Sequence, residues 1–182
     1  MRDVRSRPAA TDVALPGLAH SMSMSSLAAA LPVDGRQSPA ALAIARGATR
    51  LLHALGHSVV SELPLASGRR ADLVALSCDG EIWIVEIKSS LPDLRADHKW
   101  MDYRPHCDRL FFATGPDVPS TKFPPDTGLI AADAFGGSIL REAPEHRLHA
   151  AARKRMMLAF ARAAALRLSA LCDPQSPYHA EL

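Results

Sequence analysis

Cysteine is scarce in this chain: Cys78, Cys107 and Cys172 stand far apart, with no CxxC pair. That spacing excludes a disulfide framework and a thiolate zinc site, and it fits a reducing cytoplasm. No apolar run is long enough to span a membrane. Arg2, Arg5 and Arg7 precede an apolar stretch in the manner of a secretory signal, but Pro16 and His20 break it. An untargeted, cytoplasmic protein with no membrane partner is expected. There is no G-x-x-x-x-G-K-[ST] phosphate loop and no GxSxG elbow, so nucleotide hydrolysis and serine-hydrolase chemistry have little support. A strong excess of one charge is missing too. The formal net charge of +2 is too small to announce a nucleic-acid partner, and it leaves room for local basic patches.

What is present suits one globular domain: 48% of the 182 residues are apolar and 22% are charged. Residues 1–37 are rich in Ser, Ala, Pro and Arg without sustained periodicity and are expected to form a disordered tail, with Met22 or Met24 as an alternative start. The domain is assigned to residues 38–172 and a short C-terminal tail to 173–182.

Ser38 before Pro39 is a helix-start signal, and Ala41, Ile44, Ala48, Leu51, Leu52 and Leu55 follow at helical spacing up to a Gly56 stop. Strands are expected over residues 57–65, 71–76 and 82–88, joined by turns at Gly68 and at Asp79-Gly80. A helix over 93–103 ending before Pro105, strands over 109–114 and 128–132, and a long helix over 145–171 complete the pattern. In that last helix Met157, Phe160, Ala164, Leu168 and Leu171 share a face. The order helix, three strands, helix, strand predicts an α/β domain with a mixed sheet flanked by helices.

The chemistry is expected at the end of the third strand. Glu86 and Lys88 are two residues apart, so both leave the same face, roughly 7 Å from each other along the backbone. They close an almost wholly apolar stretch, Ile82-Trp83-Ile84-Val85, which suits a central strand. Charge placed there needs pairing or a metal, because desolvating it alone is costly. Asp72 opens the preceding strand and lies beside the same end. A strict two-residue Asp79-Gly80 turn would set Asp72 opposite Ile87 and turn the two carboxylates to opposite faces. A three-residue loop, Cys78-Asp79-Gly80 with Gly80 left-handed, or a corrective bulge, brings them together. Converged, Asp72 and Glu86 would hold Mg²⁺ (or Mn²⁺), and Lys88 would orient a water or offset charge building on phosphorus. The competing expectation is a structural salt-bridge network, which would need no metal.

The spacing Ala71-Asp72, thirteen residues, Glu86-Ile87-Lys88 resembles the PD-(D/E)XK nuclease signature, with Ala71 in place of the usual proline. The element order is similar to the restriction-endonuclease-like core, αβββαβ. More narrowly, Gly68-Arg69-Arg70-Ala71-Asp72-Leu73, Ile84-Val85-Glu86-Ile87-Lys88-Ser89-Ser90, Asp97-His98-Lys99-Trp100 and Cys107-Asp108-Arg109 with Phe112-Ala113 resemble the MmcB family of bacterial DNA-repair proteins, over about residues 39–170. The resemblance implies an endonuclease in DNA repair whose catalytic residues are Asp72, Glu86 and Lys88. One departure stands out: many members of the superfamily carry an acid on the first helix, and residues 39–55 contain none. Glu62 on the first strand is either the missing metal ligand or an ordinary surface residue.

Other residues carry further expectations. Arg69 and Arg70, just before Asp72, are placed to meet phosphate. Lys99 and Tyr103 resemble the QxxxY motif of RecB-like exonucleases, with lysine for glutamine; they would contact phosphate and a base, or be solvated and packed on the sheet. His53 and His57 are separated by the Gly56 helix stop, which favours a dipole role for histidine over a metal site. The last helix, with Arg147, Arg153, Lys154, Arg155, Arg162 and Arg167, either tracks a DNA backbone or presents solvated arginines. The function expected is a metal-dependent DNA nuclease. The alternative is a nuclease-like module without turnover that recognises branched or damaged DNA for a repair-protein partner. RNA is a third substrate option, and a homodimer would let two centres cut two strands, although no helical seam marks an interface.

Overall fold

The computed structural model describes residues 38–175, so the tail expected over residues 1–37 and the last seven positions lie outside it. Helix α1 (Pro39–Ala54) starts where Ser38 accepts the Ala41 N–H and ends at Gly56, whose φ of 83° is left-handed. Three strands follow, β1 (Ser58–Pro64), β2 (Arg70–Leu76) and β3 (Ile82–Lys88), then a short helix α2 (Leu91–Ala96) and a 3₁₀ helix (Trp100–His106). Strands β4 (Arg109–Thr114), β5 (Gly128–Ala132) and β6 (Gly137–Arg141) lead to the long helix α3 (Ala150–Cys172).

The six strands form one mixed sheet in chain order. β1–β2, β2–β3 and β5–β6 are antiparallel, while β3–β4 and β4–β5 are parallel. The α/β architecture expected from the pattern of elements is therefore the one found. All seven residues of β3 are buried, as suits a strand covered on both faces. On one face α1 packs Ile44, Ala45, Ala48 and Leu52 against Leu73, Val85 and Phe111. On the other, Met156 and Phe160 of α3 and Tyr103 of the 3₁₀ helix pack against Val74, Ile84 and Leu110.

Several expectations are corrected. The helix expected over 93–103 is two pieces. The Asp97 carboxylate accepts the Lys99 N–H and the Asp97 backbone is extended (φ −87°, ψ 90°), so a side chain displaces the helical ladder. Pro105, expected beyond the helix, lies inside the 3₁₀ segment. The last helix begins at Ala150 and not near residue 145, because the preceding segment is held extended by Asp108: its carbonyl accepts from His146 N and its carboxylate from Leu148 N. His149 then caps α3, its Nδ1 accepting the Ala152 N–H. The buried face of α3 is Ala152, Met156 and Phe160; Met157, Leu168 and Leu171 are exposed. Strand β6, which opens on Gly137 directly after Gly136, was not expected.

Candidate functional site

The β2–β3 hairpin sets the site. Its register runs Leu76↔Ile82, Ala75↔Trp83, Val74↔Ile84 and Leu73↔Val85, so the next step sets Asp72 opposite Glu86. This register follows from the three-residue loop Cys78-Asp79-Gly80: Ser77 N donates to Glu81 O, Gly80 N to Ser77 O, and Gly80 has a φ of 86°. At Asp72 the backbone ladder gives way to side chains. Asp72 N donates to Glu86 Oε1 at 3.3 Å, and Ile87 N donates to Asp72 Oδ2 at 2.8 Å. Asp72, Glu86 and Lys88 line one cleft of 340 Å³ with Ser38, Ser89 and Asp93.

The electrostatics of that cleft are strongly biased. Glu86 is 3% exposed, and burial first, then the Asp72 charge, raises its pKa well above the usual carboxylate range. Burial lifts Asp72 to about 6, against the pull of the Ile87 N–H and of Lys88. Lys88 is 7% exposed and forms a 2.8 Å ion pair with Asp97. Burial disfavours its charge, but the bond and charge of Asp97 more than offset this, so Lys88 remains an ammonium and Asp97 a carboxylate. Lys88 is thus matched largely by Asp97, and Asp72 and Glu86 face each other with Asp93 close by. A divalent cation would offset the cost of ionising these two buried carboxylates, and oxygen donors of this kind suit Mg²⁺ or Mn²⁺. Among the described residues no group of three or more His, Cys, Asp or Glu side chains is gathered for a metal. Water would therefore complete the shell around two carboxylates.

The other residues singled out in the sequence fall into different places. Glu62 adopts φ 51°, unusual for a residue with a side chain, and the face alternation of β1 breaks there: Val60 and Leu63 both join the α3-side core. Its carboxylate is ion-paired with Arg70, and its charge helps raise Asp72. Arg69 forms a two-bond fork to Asp102 Oδ2, at 3.0 and 2.8 Å. Tyr103 is buried; its hydroxyl donates to Arg70 O at 3.3 Å, and the side chain lies close enough to Glu86 to bear on the charge of that carboxylate. Lys99 is exposed ahead of the 3₁₀ helix, so the helical four-residue spacing with Tyr103 does not exist. In the last helix Arg153 is held by Asp108 and Arg167 by Ser61 Oγ and Glu62 O. His53 Nδ1 bonds His57 O, and the His57 ring packs 4.4 Å from Trp83. Asp93 and Asp97 were missed as site residues, although Asp97 stands in one of the stretches quoted above. Asp93 lies in α2 and Asp97 directly after it, and only the fold carries them to β3.

No described helix is long and apolar enough to cross a membrane. A search of curated proteins returned no match. A solved structure of a protein of unknown function from Silicibacter pomeroyi is 42% identical, with a TM-score of 0.74, over 77% of this chain and 96% of that one. The family model of the DNA repair protein MmcB-like matches residues 29–175, a span that holds the whole described sheet and every side chain of the cleft. The chain belongs to the MmcB-like family of DNA repair proteins.

Proposed function

We propose that this protein is a divalent-metal-dependent DNA nuclease with a PD-(D/E)XK centre, acting as an endonuclease in repair. The observation that carries the reading is the juxtaposition of Asp72 and Glu86 across the open end of the β2–β3 hairpin, both with raised pKa values, beside a charged Lys88. Mg²⁺ or Mn²⁺ bound by the two carboxylates would supply Lewis acidity toward a phosphate oxygen and acidify a water. The chain itself does the positioning. The Asp72 N–H holds the Glu86 carboxylate, the Ile87 N–H fixes Asp72, and Asp97 holds the Lys88 ammonium beside the cleft, where negative charge would build on the phosphodiester.

The family supports DNA as the partner, and the cleft chemistry supports hydrolysis. The test is cleavage of single-stranded, nicked, flapped and branched DNA with Mg²⁺ or Mn²⁺. Wild-type protein is expected to cut, EDTA to stop it, and Lys88→Ala and Glu86→Ala each to lower the rate by about 100-fold or more. Unchanged cutting by both variants would sink the assignment. A second reading, a binding module without turnover, is favoured by the lack of a third gathered acid among the described residues. Tight binding of branched DNA with no cutting in any metal would select it.

A further inference from the structure

A second cleft, of 260 Å³, is lined by Leu94, Arg95, Asp97, His98, Trp100 and Lys122, with Leu91 and Pro124 beside them. One ion pair links the two clefts. Asp97 lines this one while its carboxylate grips Lys88 of the other at 2.8 Å. That ion pair answers the only carboxylate in the lining, so the rim is basic: Arg95, His98 and Lys122 are exposed, and neither Arg95 nor Lys122 makes an ion pair among the described residues. Leu91, Leu94, Trp100 and Pro124 supply its apolar lining. The Trp100 indole stands edge-on to Phe112, with centroids 6.2 Å apart, and Arg104 lies over its ring, so its position is set before any ligand arrives.

We propose that this cleft takes one unpaired nucleobase of the DNA strand whose neighbouring phosphate lies in the Asp72–Glu86 cleft, with Arg95 and Lys122 on the flanking phosphates. The choice of DNA rests on the nuclease reading. Aromatic surface rimmed by cations suits a base with its backbone charges, because every base offers a π-face and every linkage a negative charge. The volume lies just below the range of about 300–1,000 Å³ common for small-ligand sites, which suits a single base. A paired base cannot enter, so the substrate class is DNA with a single-stranded or splayed nucleotide beside the cut: a flap, a gap or a branch.

Trp100 also reports on the cleft, since the other tryptophan, Trp83, is packed in the core at 8% exposure. The experiment uses the full chain carrying Glu86→Gln, so that cutting does not confound binding, and titrates a thymidine 12-mer and a blunt duplex while following indole emission and DNA anisotropy. The single strand is expected to quench the indole and the bound duplex to leave it unchanged. Arg95→Ala with Lys122→Ala, both at the surface, is expected to weaken single-strand binding about tenfold and to flatten the slope of log affinity against log salt by roughly 1.4. Trp100→Phe is expected to remove the quench while binding persists. Equal quenching by duplex, single-strand binding with unchanged emission, or a double variant within about twofold of the parent would each overturn the proposal. Its failure is separable from that of the nuclease reading. Cutting by wild-type protein without indole quenching removes the base cleft alone, and quenching in a protein that cuts nothing removes the nuclease alone.

Discussion

Asp72 carries a charge that its surroundings disfavour, burial foremost, and its pKa of about 6 stands above the ordinary 3.8. The folded protein therefore binds that proton more tightly than the unfolded chain. Stability contributed by this group is full at low pH, falls as pH rises from about 4 to about 6, and stays low above that. Without metal at pH 7.5, Asp72→Asn keeps an acceptor for the Ile87 N–H and sheds the charge, so unfolding should be harder by about 1–3 kcal/mol, a few degrees in midpoint. At pH 4 the two proteins should melt together. A variant that melts at or below wild type at pH 7.5 would contradict the electrostatic account. Tyr103→Phe tests the same centre more gently. Removing the hydroxyl that donates to Arg70 O beside Glu86 should lower the cutting rate about tenfold with little change in fold, as circular dichroism would report.

At the scale of elements, the hairpin was legible and the segment after β3 was not. The register could be deduced because a two-residue turn and a three-residue loop place Asp72 on different faces, and Gly80 supplies the left-handed residue that the longer loop requires. The break at Asp97 could not be deduced, because it depends on a lysine nine residues earlier drawing the carboxylate toward the sheet. The start of α3 was hidden for a similar reason. Asp108, 1% exposed, accepts from Ile82 N and Leu148 N, both at 2.8 Å, and from Arg153 at 2.9 and 2.7 Å, and so ties β3, the extended segment and α3 together. Asp108→Ala would orphan all of these donors and should cost about 3–5 kcal/mol, a fall of roughly 10 °C in a thermal melt. A fall under about 2 °C would mean that α3 is held by its apolar face alone. Gly47→Ala should also destabilise. A Cβ there would collide with the carbonyl oxygens of Asp133 and Gly136, fixing how closely α1 can approach the β5–β6 turn.

For the whole molecule, apolar periodicity located most elements, because helices and strands buried on one side must repeat near 3.6 or 2 residues. It misjudged α3, whose apolar side chains surround the helix; only contact with the sheet selects Ala152, Met156 and Phe160. The three charged residues at the end of β3 were readable because charge in so apolar a strand demands a partner. The destinations of Arg69, Arg70 and Glu62 were not, since each is settled by an ion pair formed only after folding. Arg69 and Arg70, both expected at phosphate, are engaged with carboxylates, while Arg95 and Lys122 stand at the rim of the Trp100 cleft. The proposed activity requires Asp72 and Glu86 to share a divalent cation. Its most direct test is an anomalous difference map from a crystal grown with Mn²⁺. The predicted result is a single strong peak in contact with both Asp72 and Glu86, at roughly 2.1 Å from their oxygens, absent from crystals of Glu86→Gln; a map with no peak between them, or with its peak elsewhere, would contradict it.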